Sequence, residues 1–139
     1  VGALLAKEKA AAFTLGDHNA TFGGNPVTSA AAYATLKYVI DHDVAGNARK
    51  VGQYLGSGLQ SLKNKHKSIT DVRGRGLLIA VEFDAEIAQD IVMNCLDNGL
   101  LVNRLKPNAI RLIPPLIITN QEVDQALAIL DQALSGIGK

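Results

Sequence analysis

Two stretches of this 139-residue chain carry side chains suited to holding an anion. The first, residues 16–26, reads GDHNATFGGNP and sets Thr21 just ahead of Gly23 and Gly24. Backbone N–H groups in a glycine-rich turn can converge on a phosphate, and a threonine hydroxyl adds a directed donor. The same residues also make an ordinary lead-in to a helix, with Asn25 as cap and Pro26 in the first turn. Both readings stand on these residues alone. A Walker cradle is excluded, because no lysine follows the glycines at the P-loop spacing.

The second stretch, residues 109–114, reads AIRLIP. In an extended strand the alternation sends Ile110 and Leu112 to one face and Arg111 to the other. An arginine in such an apolar strand needs a carboxylate, and its planar fork suits bidentate binding of one. A structural ion pair and a substrate contact both satisfy that need.

Other candidate chemistry is thinner. Gly74-Arg75-Gly76 precedes a strand, whereas a dinucleotide fingerprint follows a strand and opens a helix, so a tight turn is the expectation. His18, His42 and His66 lack metal-ligand spacing. Ser29, Ser57, Ser61, Ser68 and Ser135 lack a nucleophile-elbow context. No pair of carboxylates forms a recognisable acid–base dyad.

The elements that must position Thr21 and Arg111 follow from periodicity. Residues 7–13 read as a short helix. A helix opens at Pro26 with Val27, Ala31, Ala34 and Tyr38 in register, and after a break at residues 41–43 a second carries Val44, Ala48, Val51, Leu55, Leu59 and Leu62 as one stripe. A short strand, a turn at residues 74–76 and a strand over residues 77–83 come next. Residues 86–97 are helical, closed by Asn98-Gly99. LLVNR and AIRLIP form a hairpin about residues 106–108, and Thr119 with Glu122 makes a capping box for the last helix. That order predicts an α/β unit with a small, mainly antiparallel sheet covered by helices.

Composition narrows the partners. The net charge is +1, with acids and bases interleaved, which leaves no footprint for nucleic acid or an anionic membrane. The basic run Lys63, Lys65, His66 and Lys67 sits where a helix is expected to end and complements its dipole. Cys95 is the single cysteine, so no disulfide or four-cysteine zinc site forms within one chain. It falls on an apolar helix face. No apolar run reaches membrane-spanning length, and a reduced, cytoplasmic setting fits.

Four segments, GDHNATFGGNP, DVRGRGLLIAVEF, NGLLVN and IRLIPPL, occur in the order and approximate spacing of the class III aminotransferases. The set most resembles the acetylornithine aminotransferase branch, and the resemblance runs from Val1 nearly to the C-terminus. It implies a fold-type-I enzyme that uses pyridoxal 5'-phosphate, normally a homodimer. It also implies amino-group transfer between N-acetylornithine and 2-oxoglutarate, a step of arginine biosynthesis. Another class III ω-aminotransferase, acting on ornithine, succinylornithine or 4-aminobutyrate, is the nearest alternative. A stand-alone module binding a small anion or a protein is the more distant one.

Carried onto this chain, the resemblance makes Thr21 a contact to the cofactor phosphate of the partner subunit. Ala20 departs from the family pattern, which has a hydroxyl residue there. Arg111 becomes the arginine that holds the substrate carboxylate, while Arg73 and Arg75 become architectural. The family's Schiff-base lysine lies before a strand within which this sequence opens, so Lys7 and Lys9 do not match it. The expectation is therefore a C-terminal portion, inactive alone and without a catalytic residue of its own. Residues 1–25 would be the tail of the large cofactor-binding domain, and residues 26–139 a linking helix and the small domain.

Overall fold

The structure, a computed structural model, describes residues 2–137. They form two compact units divided after His42. In the first, a single turn of 3-10 helix at Glu8–Ala10 is all that forms of the helix predicted over residues 7–13. No residue of that turn is buried, so nothing rewards its extension. Helix α1 (Pro26–Asp41) starts where expected: the Asn25 side chain accepts the Thr28 N–H at 3.1 Å, and Pro26 occupies the first turn. No residue of α1 is buried.

The second unit opens with α2 (Val44–Lys65), capped by Asp43, whose side chain accepts the Gly46 N–H. Its predicted stripe is buried at Val44, Val51, Leu55, Leu59 and Leu62. Strands β1 (Ile69–Arg75) and β2 (Leu78–Phe83) then pair antiparallel. The predicted turn lies later than expected: Gly74 and Arg75 stay in β1, and Gly76-Leu77 make the reversal. Gly76 has φ +57°, the positive value that a type II′ hairpin turn requires at its first position. Leu77 is buried, so the hairpin tip is anchored in the core.

Helix α3 (Ala88–Asp97) buries Ala88, Ile91 and Cys95, and Gly99 at φ +84° follows its end. Burial pushes the Cys95 thiol up from its ordinary range, which keeps it protonated and unreactive. Strands β3 (Asn103–Lys106) and β4 (Ala109–Leu112) form the second hairpin, shorter than LLVNR suggested because Leu101 and Val102 stay outside the ladder. Helix α4 (Asn120–Gly136) opens on the predicted capping box of Thr119 and Glu122. The four strands run β1-β2-β4-β3, each neighbouring pair antiparallel.

One face of this sheet supplies Ile79, Val81, Phe83, Ile110 and Leu112 to a core shared with α2, α3 and α4. Cores of this kind dominate the stability of a small domain. The opposite face carries the polar alternates, and it matters for the site.

The basic run at the end of α2 does more than meet a dipole. Lys65 Nζ lies 2.6 Å from Asp131 on α4, and the His66 ring hydrogen-bonds the same carboxylate. His66 and then Lys65 hold the Asp131 carboxyl below its ordinary value of 3.8. A depressed folded-state pKa contributes stability above the unfolded pKa, and that stability is lost as pH falls through the folded value. The urea midpoint should therefore fall less in Asp131→Asn than in the unmodified chain between about pH 6 and about pH 3. Equal falls would show that the pair does not couple to folding.

Candidate functional site

Pairing places four side chains in one row across the open face of the sheet. Arg73 lies opposite Ala80, Ala80 opposite Arg111, and Arg111 opposite Asn103. Directly opposed residues of an antiparallel ladder project to the same side. Ile110 and Leu112 flank Arg111 in β4 and are buried on the core side, so the row faces outward.

The two arginines of the row stand in different chemical states. Arg73 is engaged twice, with Asp71 at 2.8 Å and with Glu82 at 2.5 Å. Glu82 and then Asp71 push its guanidinium above its ordinary pKa, and Arg73 in turn lowers both carboxyls. It is a strut between β1 and β2, which agrees with the architectural role expected of it.

Arg111 has no such partner. It makes no ion pair and no hydrogen bond among the described residues, and its Nε is buried without an acceptor. A buried N–H left unpaired costs about 1–3 kcal/mol. No structural ion pair to Arg111 forms among the described residues. Arg111 lines two shallow depressions. One, of about 270 Å³, is bordered by Leu101, Val102, Asn103 and Ile113. The other, of about 450 Å³, includes Arg73, Arg75, Ala80 and Leu105. The small Ala80 side chain leaves room beside the guanidinium. A planar, permanent cation without a partner among the described residues has the chemistry to accept a carboxylate.

Thr21 belongs to the first unit, in an exposed turn over residues 21–24. The Gly23 N–H donates to the Ala20 carbonyl at 3.2 Å, and Gly24 has φ +69°. The Thr21 hydroxyl makes no hydrogen bond among the described residues. Its donor is therefore available to an outside acceptor such as a phosphate oxygen.

Sequence reasoning missed Asn103 as a site candidate. Counting back from the Pro107-Asn108 turn pairs Arg104 with Arg111, which would set two cations side by side. A bulge between Arg104 and Lys106 shifts the register, so Asn103 faces Arg111 instead. Arg104 turns away and donates to Gln89 Oε1 on α3 at 3.2 Å. No signal in the sequence marks that bulge. Among the described residues no group of three or more His, Cys, Asp or Glu side chains could hold a metal ion, and no helix is long and apolar enough to cross a membrane.

With this geometry in hand, likeness to known proteins can be read residue by residue. The aminotransferase class-III family profile matches residues 1–134. An acetylornithine aminotransferase of Caldanaerobacter subterraneus is 45% identical over 137 residues, covering 99% of this chain and 35% of the relative. One from Bifidobacterium longum is 47% identical over 121 residues, covering 87% and 28% respectively. The crystal structure of acetylornithine aminotransferase from Elizabethkingia anophelis superposes with a TM-score of 0.84 at 35% identity, over 90% of this chain and 32% of that one. The chain thus spans about 35% of the length of the first of these relatives.

Proposed function

The chain belongs to the class-III aminotransferase family, and from that premise we propose that it is the C-terminal part of an enzyme moving an amino group between N-acetylornithine and 2-oxoglutarate, a step of arginine biosynthesis. The observation that carries this reading is Arg111, a guanidinium held on an open sheet face with its Nε buried and unpartnered. The α-carboxylate of 2-oxoglutarate lies next to the carbon that receives the amino group, and a free fork suits it. The names of the relatives support the choice of acetylornithine.

The family implies pyridoxal 5'-phosphate, and the residues present fit one end of it. Thr21 offers a free hydroxyl in an exposed, glycine-containing turn, a donor set suited to phosphate. When bound, the cofactor supplies the electron sink that amino-group transfer needs. Thr21 would hold the phosphate of the partner subunit's cofactor, and Arg111 would orient a substrate in its own subunit by its carboxylate. Neither group can take the proton of the reacting carbon: a guanidinium stays protonated, and an unactivated threonine hydroxyl is a poor base. Transamination is therefore a property of the parent enzyme, and the isolated chain is expected to be inactive.

We assign residues 1–25 to the large cofactor-binding domain and residues 26–139 to the linking helix and small domain. In the first unit residues 2–42 bury no side chain, while Leu4, Leu5, Phe13, Phe22, Tyr33 and Leu36 are exposed. Apolar surface on that scale belongs against other protein. A homodimer in which Thr21 reaches the cofactor of the partner subunit supplies such a surface. A cytoplasmic location agrees with Cys95, a buried free thiol.

The test is a glutamate assay on the purified parent enzyme with 2-oxoglutarate and each candidate donor in turn. N-acetylornithine is expected to give the highest kcat/KM. A higher value for ornithine, succinylornithine or 4-aminobutyrate would overturn the substrate assignment.

A further inference from the structure

Asn103 has the position and the freedom to share the work assigned to Arg111. The two are cross-strand partners on the open face, a relationship that sets Cβ atoms about 4.5–5.5 Å apart. They line the same depression of about 270 Å³, whose other walls are the apolar Leu101, Val102 and Ile113. The Asn103 side chain makes no hydrogen bond among the described residues, and it is exposed. Arg73, the other cation of the row, is already committed to Asp71 and Glu82.

We propose that Asn103 is a specificity-determining residue that contacts the same substrate carboxylate as Arg111. The proposal rests on the carboxylate-receptor reading of Arg111 given above. A carboxylate has about four acceptor sites, and a bidentate arginine uses two of them. The Asn103 amide donates to a third. Being neutral, it adds a directed hydrogen bond without competing for the guanidinium. The register shift in β3 gives this a reason: without it the neighbour of Arg111 would be Arg104, and two adjacent guanidinium groups would repel each other across the ladder.

The experiment compares Asn103→Leu and Asn103→Asp in the parent enzyme, with Arg111→Lys as reference. The readout is the single-turnover amino-donor reaction with glutamate, which reacts at the carbon bearing its α-carboxylate, and with a primary amine lacking that carboxylate. Losing a hydrogen bond to a charged acceptor should lower the rate constant ratio, glutamate over amine, about tenfold in Asn103→Leu. Asn103→Asp should lower it further, because the new carboxylate repels the substrate and competes for the Arg111 fork. A purely structural role predicts the reverse order, since aspartate matches asparagine in shape and leucine does not.

Three results would overturn the proposal: equal losses on both substrates, the reverse order of the two variants, or no change in the ratio. If Arg111→Lys lowers the ratio while neither Asn103 variant does, only the role of Asn103 fails. If Arg111→Lys also leaves the ratio unchanged, the carboxylate-receptor reading fails with it.

Discussion

Arg111→Lys in the parent enzyme is expected to lower kcat/KM about a hundredfold for 2-oxoglutarate, a loss of about 2–3 kcal/mol. An ammonium keeps the charge but cannot make two parallel hydrogen bonds to one carboxylate. It also sits on a flexible stem, so the substrate is held less well in its reactive orientation. Because the carboxylate is bound before and during reaction, most of the loss should fall on KM, with a smaller share on kcat from misorientation. The fold should hardly notice. Arg111 makes no internal ion pair, so its replacement breaks nothing that stabilises the sheet. A urea midpoint within experimental error of the unmodified enzyme, together with the kinetic loss, is the expected pairing of results. Unchanged kinetics for 2-oxoglutarate would remove Arg111 from the site, and a large drop in midpoint would make it a structural residue.

The largest expected effect on stability comes from Gly52→Ala. Glycine inside a helix normally costs about 0.5–1 kcal/mol relative to alanine, so the substitution would ordinarily stabilise. Here the sign reverses. Gly52 is buried on α2, and a Cβ there would lie 2.7 Å from the Gly76 Cα and closer still to its carbonyl atoms. Those are backbone atoms of the β1–β2 turn, which cannot swing aside as a side-chain tip can. Gly76 holds φ +57° and is followed by buried Leu77, so the turn is pinned from both sides. A loss of about 1–3 kcal/mol or more is expected, and more for Gly52→Val.

Two other glycines of the same helix serve as controls. A Cβ at Gly56 meets nothing within 4 Å, so Gly56→Ala should gain about 0.5–1 kcal/mol. One at Gly58 meets only the Leu127 side chain, which can shift, so its cost should fall between the two. Urea denaturation of the three variants ranks them directly. Stabilisation by Gly52→Ala would show that the hairpin does not bear on α2. The consequence reaches the site: lifting the turn shifts β2, whose Ala80 is the neighbour that leaves room beside Arg111.

How much of this could be read beforehand depended on whether a feature was local. Helix starts were legible, because a cap is settled within four residues: Asn25 with Thr28, and Thr119 with Glu122, bond as their spacing predicts. The α2 stripe was legible too, since one helix face repeats wherever the helix packs. Residues 7–13 misled, because a helical pattern without a surface to bury it extends only one turn. The turn at Gly76-Leu77 was misplaced because two glycines flank Arg75, and only the burial of Leu77 selects the later reversal.

The sequence by itself determined the class of the fold, the outward placement of Arg111 and the family to which the four segments point. These follow from periodicity, alternation and short-range order, all properties of neighbouring residues. Two things were decided only by the tertiary structure. Arg73 is taken up by Asp71 and Glu82 while Arg111 has no partner among the described residues, because strand pairing, not sequence distance, sets which charges meet. And Asn103, not Arg104, stands beside Arg111, because one bulge in β3 slides the register by a residue and so exchanges the faces of its side chains.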